Sequence, residues 1–433
     1  MSFKTLRLVP LAMAAMVACA SAHAEYSFLD GKLSLSGFGT VGVSRTNTDE
    51  ALFNYPGQGG GSDRSASFNP DTKLGLQGTY KATNTLSATA QVLTKYRYDG
   101  EYKPDFEWAF AKWQALPSLA VRVGRIGAPF FMVSDFRDVG YANTAIRPPL
   151  DVYGQVPVSS VDGGDISYQT NLNTTTLTAT LWGGQTKAKY ASALRNAGAD
   201  VEPTEIRLRN QIGLNLQAEF DGGYALRVGH MQGKLTVKTS SVAQLTAGLT
   251  QLGAFANPVT APVARELLDA LDTTGEKASF TGIGFSVDRD NYVLATEYTM
   301  RKVKHGVVSD TTGWYVLGGY RLGSFLPYAV VSRLTVKSAN TAMPANVATY
   351  LGSTVAGSAQ SLMNSDKVAQ NTLSAGVRWD FRSGMALKAQ FDHINKPSQS
   401  NGLFLAPDAA TSGNFYNNKK NVNVVSVALD FVF

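Results

Sequence analysis

The sequence predicts an all-β protein, a transmembrane antiparallel β-barrel of about sixteen strands. Three observations predict it. From residue 30 to the end, segments of roughly ten residues alternate apolar with polar or small side chains. The connections between them alternate short and long. The segments number sixteen, an even count, with the short turns all on one side. Composition agrees. Charged residues are 17 % of the 433, against about 25 % in an ordinary soluble domain. Mean hydropathy is only −0.09. The longest uncharged apolar run, Leu8–Ala20, has thirteen residues, and a helical span needs about twenty. A polytopic helical membrane protein and a disordered chain are both excluded.

Residues 1–24 read as a signal peptide. Lys4 and Arg7 form a basic start, Leu8–Ala20 an apolar stretch, and Ala22-His23-Ala24 a cleavage site before Glu25. The competing reading is a lipoprotein signal ending at Cys19, whose preceding Met16-Val17-Ala18 is a poor lipobox. Cys19 is the sole cysteine, so cleavage after Ala24 leaves no disulfide, thiol chemistry or cysteine metal site. The remaining 37 basic and 33 acidic residues give +4, too mild a balance to imply nucleic acid.

The strands follow in order. Leu33, Leu35, Gly37, Gly39, Val41 and Val43 share a face opposite Ser34, Ser36, Thr40 and Ser44. Leu74, Leu76, Gly78 and Tyr80 oppose Lys73, Gly75, Gln77 and Thr79. Ile206, Leu208, Ile212, Leu214 and Leu216 oppose Arg207, Arg209, Gln211 and Asn215. Leu373, Ala375, Val377, Trp379 and Phe381 oppose Ser374, Arg378 and Asp380. Short turns are expected near 81–85, 116–118, 171–174, 221–223, 289–290, 323–324 and 382–384. Long connections are expected near 46–71, 128–161, 187–205, 238–278, 339–369 and 397–418, with shorter ones near 100–104 and 303–309. A soluble sandwich or a solenoid alternates in the same way. A sandwich rarely runs this long as one unit, and no fixed-period repeat supports a solenoid. In a barrel the apolar face meets lipid and the polar face a wet lumen. Residues 25–433 therefore read as one barrel.

The chain ends on an alternating strand that terminates at Phe433. This strand resembles the terminal strand by which bacterial outer-membrane proteins are recognised for assembly, so Phe433 is the candidate assembly signal. Together with Ser34-Leu35-Ser36-Gly37-Phe38-Gly39 and Trp314-Tyr315-Val316-Leu317-Gly318-Gly319-Tyr320-Arg321, the ending makes the chain resemble Gram-negative porins of the sixteen-stranded trimeric type. The resemblance implies outer-membrane location, passive diffusion, a homotrimer, and a loop folded into the lumen after strand five. By strand order that loop is 128–161. It is too apolar for an external loop, with Ala128-Pro129-Phe130-Phe131-Met132-Val133, Pro148-Pro149 and Tyr153. Asp135, Arg137, Asp138, Arg147 and Asp151 are expected to project from it into the pore. The alternative is packing over the rim or at a subunit interface.

Catalytic readings fare poorly. Gly37-Phe38-Gly39-Thr40-Val41-Gly42 matches G-x-G-x-x-G, but no helix follows it, so a dinucleotide site is not supported. It reads as small residues within a strand, whose glycines could also permit close packing at a subunit interface. After the leader only His230, His305 and His393 remain. Asp392 and His393 are adjacent and so face opposite sides of a strand. A Ser-His-Asp triad and a transition-metal site lack the residues they require. Asp162-Gly163-Gly164-Asp165 is a weak Ca²⁺ candidate and reads more simply as an exposed turn. No cofactor is called for.

What remains is electrostatic. Placing the polar face inward puts Lys95, Arg97, Arg122, Arg207, Arg209, Arg227, Arg301, Arg333, Arg378 and Lys388 on the lumen wall, against Glu297, Asp380, Asp392 and Asp430. Such a wall favours small polar solutes, with a weak anion preference. The rival functions are a channel specific for an anion such as phosphate or an organic acid, a barrel enzyme, and an adhesive barrel. In the last, a short helix at Val263–Leu271 would plug the barrel, cap it or decorate its outside.

Overall fold

The computed structural model describes residues 26–191, 203–338, 342–407 and 409–433. The leader assigned to residues 1–24 lies outside the described residues. Sixteen antiparallel strands form one closed sheet. They are β1 Leu33–Thr46, β2 Lys73–Lys81, β3 Leu86–Tyr96, β4 Tyr102–Leu116, β5 Leu119–Gly127, β6 Ser160–Leu172, β7 Thr175–Tyr190 and β8 Thr204–Phe220. After these come β9 Tyr224–Lys238, β10 Thr273–Arg289, β11 Tyr292–Val303, β12 Asp310–Tyr320, β13 Phe325–Ser338, β14 Gln370–Arg382, β15 Met385–Lys396 and β16 Lys420–Val432. Each pairs with its sequence neighbour, and β16 closes on β1 from Val424↔Thr46 to Val432↔Phe38. The closure removes the exposed edge that a lipid-embedded sheet cannot tolerate.

The two ends of the chain meet at this seam. A short strand, Tyr26–Phe28, pairs with Leu33–Leu35, and Phe433 exchanges backbone hydrogen bonds with Gly37. Here the glycines of the G-x-G-x-x-G stretch find their use. A Cβ on Gly37 would stand 2.4 Å from the Phe433 ring, and one on Gly39 equally close to the Phe431 ring. The two rings stack at 6.2 Å. Gly37 and Gly39 thus make room for the two rings of the last strand.

The lipid-facing side is apolar, with Leu35, Leu76, Trp113, Val123, Ile166, Leu181, Leu214, Leu216, Ile283, Leu373, Phe391 and Val425 exposed. Two expectations about this side are corrected. Arg207 and Arg209 do not face the lumen. Asn210 sits at φ +50° and the register slips between Arg209 and Ile212, a bulge that reverses side-chain parity. Leu208, above the bulge, is buried inside with Met231 and Phe280, which turns Arg207 and Arg209 outward. Arg333 also faces outward. Tyr328, Val330, Ser332 and Leu334 of β13 are the buried, inward residues, because the inner wall there is covered by a loop and so is apolar.

Asp162-Gly163-Gly164-Asp165 is part of β6 and is not a turn. Asp162 pairs with Arg125 on the outer face at 2.7 Å, and Asp165 points inward. At the external end, helices α1 Thr260–Leu271 and α2 Ser353–Asn364 come from two long loops. Leu267, Leu271, Ala359 and Met363 pack together between them. The helix expected at Val263–Leu271 thus joins a small external helical cluster.

Candidate pore constriction

Residues 128–159 connect β5 to β6 and fold inside the barrel. Their apolar face explains why. Phe130, Phe131, Val152 and Tyr153 bury against the inner sides of Trp182, Leu208, Met231, Phe280, Tyr315, Tyr328 and Val330. Phe130 meets Trp182 edge-on at 5.7 Å and Phe280 at 5.9 Å, and Phe131 lies 4.6 Å from Tyr153. Each such aromatic pair contributes about 0.5–1.5 kcal/mol beyond the area it buries. The loop therefore lines the β7–β13 wall and leaves the β2–β6 side uncovered.

Polar ties fix its position. Arg147 is the central one, with its side chain 5 % exposed. It donates two hydrogen bonds to Asp71 at 2.9 and 2.7 Å, one to Asp392 at 3.1 Å and one to Ser426 at 2.8 Å. Its guanidinium also covers the Phe53 ring at 4.9 Å. Lys388 donates to the carbonyls of Gly140, Asn143 and Ala145, and Arg378 to those of Tyr141 and Asn143. Arg227 donates to Phe131 and Pro129 carbonyls. Glu297 accepts from the Met132 amide at 2.9 Å and the Tyr153 hydroxyl at 2.7 Å. Arg301 donates to the Gln155 carbonyl at 2.8 Å. Wall charges are spent on loop carbonyls because a buried carbonyl without a donor is costly.

The loop residues expected to project into the pore divide accordingly. Asp135 is exposed. Arg137 and Asp151 are buried. Asp138 is half-buried and receives Lys73 and Lys95, each at 3.3 Å. Burial raises the Asp138 carboxyl, but Lys95 and Lys73 outweigh it and hold the group well below the usual carboxylate range. Asp151 accepts from Ser332 at 3.0 Å and Thr372 at 2.9 Å. No cation faces it, so burial prevails and pushes its carboxyl up to about 6.

On the wall, Lys95, Arg97, Arg122, Arg227 and Arg378 lie on the inner face. Arg122 forms a two-pronged pair with Asp165, the closest contact being 2.6 Å, and Arg378 pairs with Asp380 at 2.7 Å. Arg97 lies 3.6 Å from Asp105 at the external mouth. A cavity of about 540 Å³ between the loop and the β2–β7 wall is lined by Lys73, Lys95, Arg97, Arg137 and Asp138 among others. Sequence reasoning did not single out Asp71, Lys73 or Lys112 as site residues. Lys73 shared the polar face of its segment with Gln77 and Thr79, which is the one signal that marked it. Among the described residues, no group of three or more histidines, cysteines or acids is placed to hold a metal.

Comparison with known proteins places this geometry. A profile described as Gram-negative porin matches residues 11–338. OmpF of Salmonella typhi, solved with daunomycin, superposes with a TM-score of 0.53 at 14 % identity, covering 94 % of this chain and 100 % of that one. The outer membrane channel DcaP of Acinetobacter baumannii gives 0.53 at 10 % identity over 95 % and 100 %. An anion-selective porin from Comamonas acidovorans gives 0.51 at 14 % identity over 93 % and 99 %. Such distant identities speak for the fold alone. Comparison with curated protein sequences finds no match.

Proposed function

The chain belongs to the Gram-negative porin family, and on that premise we propose that its barrel passes ions and small hydrophilic solutes by passive diffusion, with a weak preference for anions. The chain is a diffusion channel of the outer membrane. The family consists of channels and not enzymes.

One observation carries the preference. Around the passage left open by the inner loop, Lys73, Lys95, Lys112, Arg122 and Arg227 face Asp135, Asp138 and Asp165. With Arg97, Arg137, Asp105 and Glu107, which line the same cavity, seven cations meet five carboxylates, so the excess is small and the selectivity weak. Loop residues 128–159 are the constriction in this reading. Pairing of Arg122 with Asp165, and of Lys73 and Lys95 with Asp138, sets up a field across the passage in which a polar solute can replace water. The homotrimer follows from the family resemblance, and its partners are further copies of the chain, outer-membrane lipid and the solutes that pass.

The test is the reversal potential of the refolded protein in a planar bilayer under a KCl gradient. A modest reversal on the anion side, with conductance inserting in steps of three, is expected. Reversal on the cation side overturns the preference, and absence of conductance from folded protein overturns the channel. A second reading, a channel specific for one anion, is favoured by the basic lining of the 540 Å³ cavity. Conductance that saturates at millimolar anion would establish it.

A further inference from the structure

We propose that the lumen holds a two-part site for monocarboxylates that carry an apolar body the size of a ring. The carboxylate sits on the basic side of a partition and the body on its apolar side. This deepens the anion-channel reading above and rests on it.

Two cavities abut inside the barrel. One is the basic cavity of about 540 Å³. The other, of about 330 Å³, lies between the inner loop and the β8–β11 wall. Pro56, Gly57, Pro157, Val158, Thr186 and Tyr190 line both and form the partition. Gly57, at φ +98°, admits the Tyr190 ring: a Cβ there would stand 2.9 Å from it. The Ala191 amide donates to the Gly57 carbonyl at 3.2 Å, which ties the two together.

The second cavity is apolar because of the bulge at Asn210. On its external side β8 reverses side-chain parity, so Ile206 and Leu208 turn to the lumen. They stand opposite Val237 and Leu235 of β9. Phe280, Val303 and the loop residue Phe130 extend this wall, and Val307, Val368 and Leu403 of the external connections complete it. The charges beside it are spent. Arg301 pairs with Asp366 at 2.5 Å and donates to the Gln155 and Ser309 carbonyls. An apolar wall turned to a wet lumen is stabilised when an apolar group covers it. At about 330 Å³ the cavity is at the lower end of small-molecule pockets, and the Phe130 and Phe280 rings offer a further ring edge contacts.

Charge across the partition selects the head group. Lys73 and Lys95 share one carboxylate, that of Asp138, so one ammonium charge is left over. Arg137 reaches the partition itself. It is 5 % exposed. Among the described residues its guanidinium makes one hydrogen bond, to the Val158 carbonyl at 3.4 Å, so most of its donors are unused. Of the acids on this side, Asp105 faces Arg97 at 3.6 Å, and Oε1 of Glu107 is buried in the wall. A carboxylate at the partition meets these cations as a charge-assisted acceptor. Inorganic phosphate would use the basic side alone.

The experiment is block of the ion current in planar bilayers. Wild-type conductance is recorded in KCl, then with acetate, phenylacetate, phenethylamine or inorganic phosphate added at matched ionic strength. Phenylacetate is expected to interrupt the current at a concentration about tenfold or more below that of the other three. The I206T/V237T variant should bring phenylacetate to the acetate level, and R137Q should weaken both carboxylates. R333Q, an outward charge elsewhere, should keep the preference. Acetate, phenethylamine or phosphate acting as well as phenylacetate overturns the proposal, as does a preference unchanged in I206T/V237T. Should a variant fail to fold, the wild-type comparison decides by itself. Absence of conductance before any solute is added overturns the channel reading and this inference with it. Normal conductance with unselective block overturns this inference alone.

Discussion

Lys388 of β15 and Asp430 of β16 form an ion pair at 2.9 Å with both side chains wholly shielded from water. The pair sits beside the seam where the barrel closes, and Thr40 of β1 donates to the same carboxylate at 2.5 Å. Because Lys388 also holds three carbonyls of the inner loop, barrel closure and loop position share one side chain.

Removing that side chain should therefore do two things. Lys388→Met leaves Asp430 buried and unpaired, a change that costs about 3–5 kcal/mol, and it frees Gly140, Asn143 and Ala145. Denaturant unfolding should show the loss, and single-channel records should show larger or noisier conductance. The double variant K388M/D430L should recover most of the stability but not the loop anchoring. Equal stability of the single and double variants would contradict this account.

Asp151 gives a pH dependence with a definite sign. Its folded carboxyl titrates near 6, above the unfolded value of about 3.9. The folded state then binds more protons between about pH 4 and 6, so stability rises as pH falls through that window. Asp138 acts oppositely. Its carboxyl is held low, and its contribution is lost only below the unfolded value of about 3.9. Between pH 4 and 6 the Asp151 effect is expected to prevail. Asp151→Asn should flatten the slope and stabilise the protein at pH 7 by about 3 kcal/mol or less. The check is denaturant midpoints at pH 4, 5, 6 and 7.

Charge reversal separates the wall from the outside. Lys112→Glu changes an inward charge beside the passage and should move the reversal potential toward cations. Arg333→Glu and Arg209→Glu change outward charges and should leave it where it was. A shift from either outward variant would return those arginines to the lumen.

At the seam, Gly39→Val places a branched side chain where the Phe431 ring lies. Overpacking of this kind typically costs 1–3 kcal/mol. Refolding into detergent, followed by the heat-dependent shift in gel mobility, should show slower or incomplete barrel formation. Phe433→Ala leaves Gly37 uncovered and tests the assembly role assigned to the last residue. Normal refolding in vitro with failed insertion in cells is the expected result.

Much of the architecture was legible in the chain. Alternation set sixteen strands with one apolar face, and the turn residues placed seven short turns on one side. The apolar run Ala128–Val133 marked the loop that leaves the bilayer-facing surface for the interior. Lys95, Arg97, Arg122, Arg227 and Arg378 could be placed inside, because on those strands the polar face is the inner one. Arg207, Arg209 and Arg333 could not. The simple rule fails where the lumen wall is itself apolar, and it fails again past a bulge, since neither Asn210 nor the sequence around it announces a slip of one residue.

The sequence by itself determined that this chain closes into a barrel, since it has no apolar run long enough for a spanning helix, and a closed sheet of alternating strands is the other structure that satisfies every backbone group in lipid. The tertiary structure decided which charges act on a solute and which are spent on the fold. Arg147, Arg378 and Lys388 are consumed holding loop carbonyls and buried carboxylates. Their partners lie as much as 279 residues away in sequence. Local periodicity fixes the face on which a residue sits, and only the closed barrel fixes what it meets there.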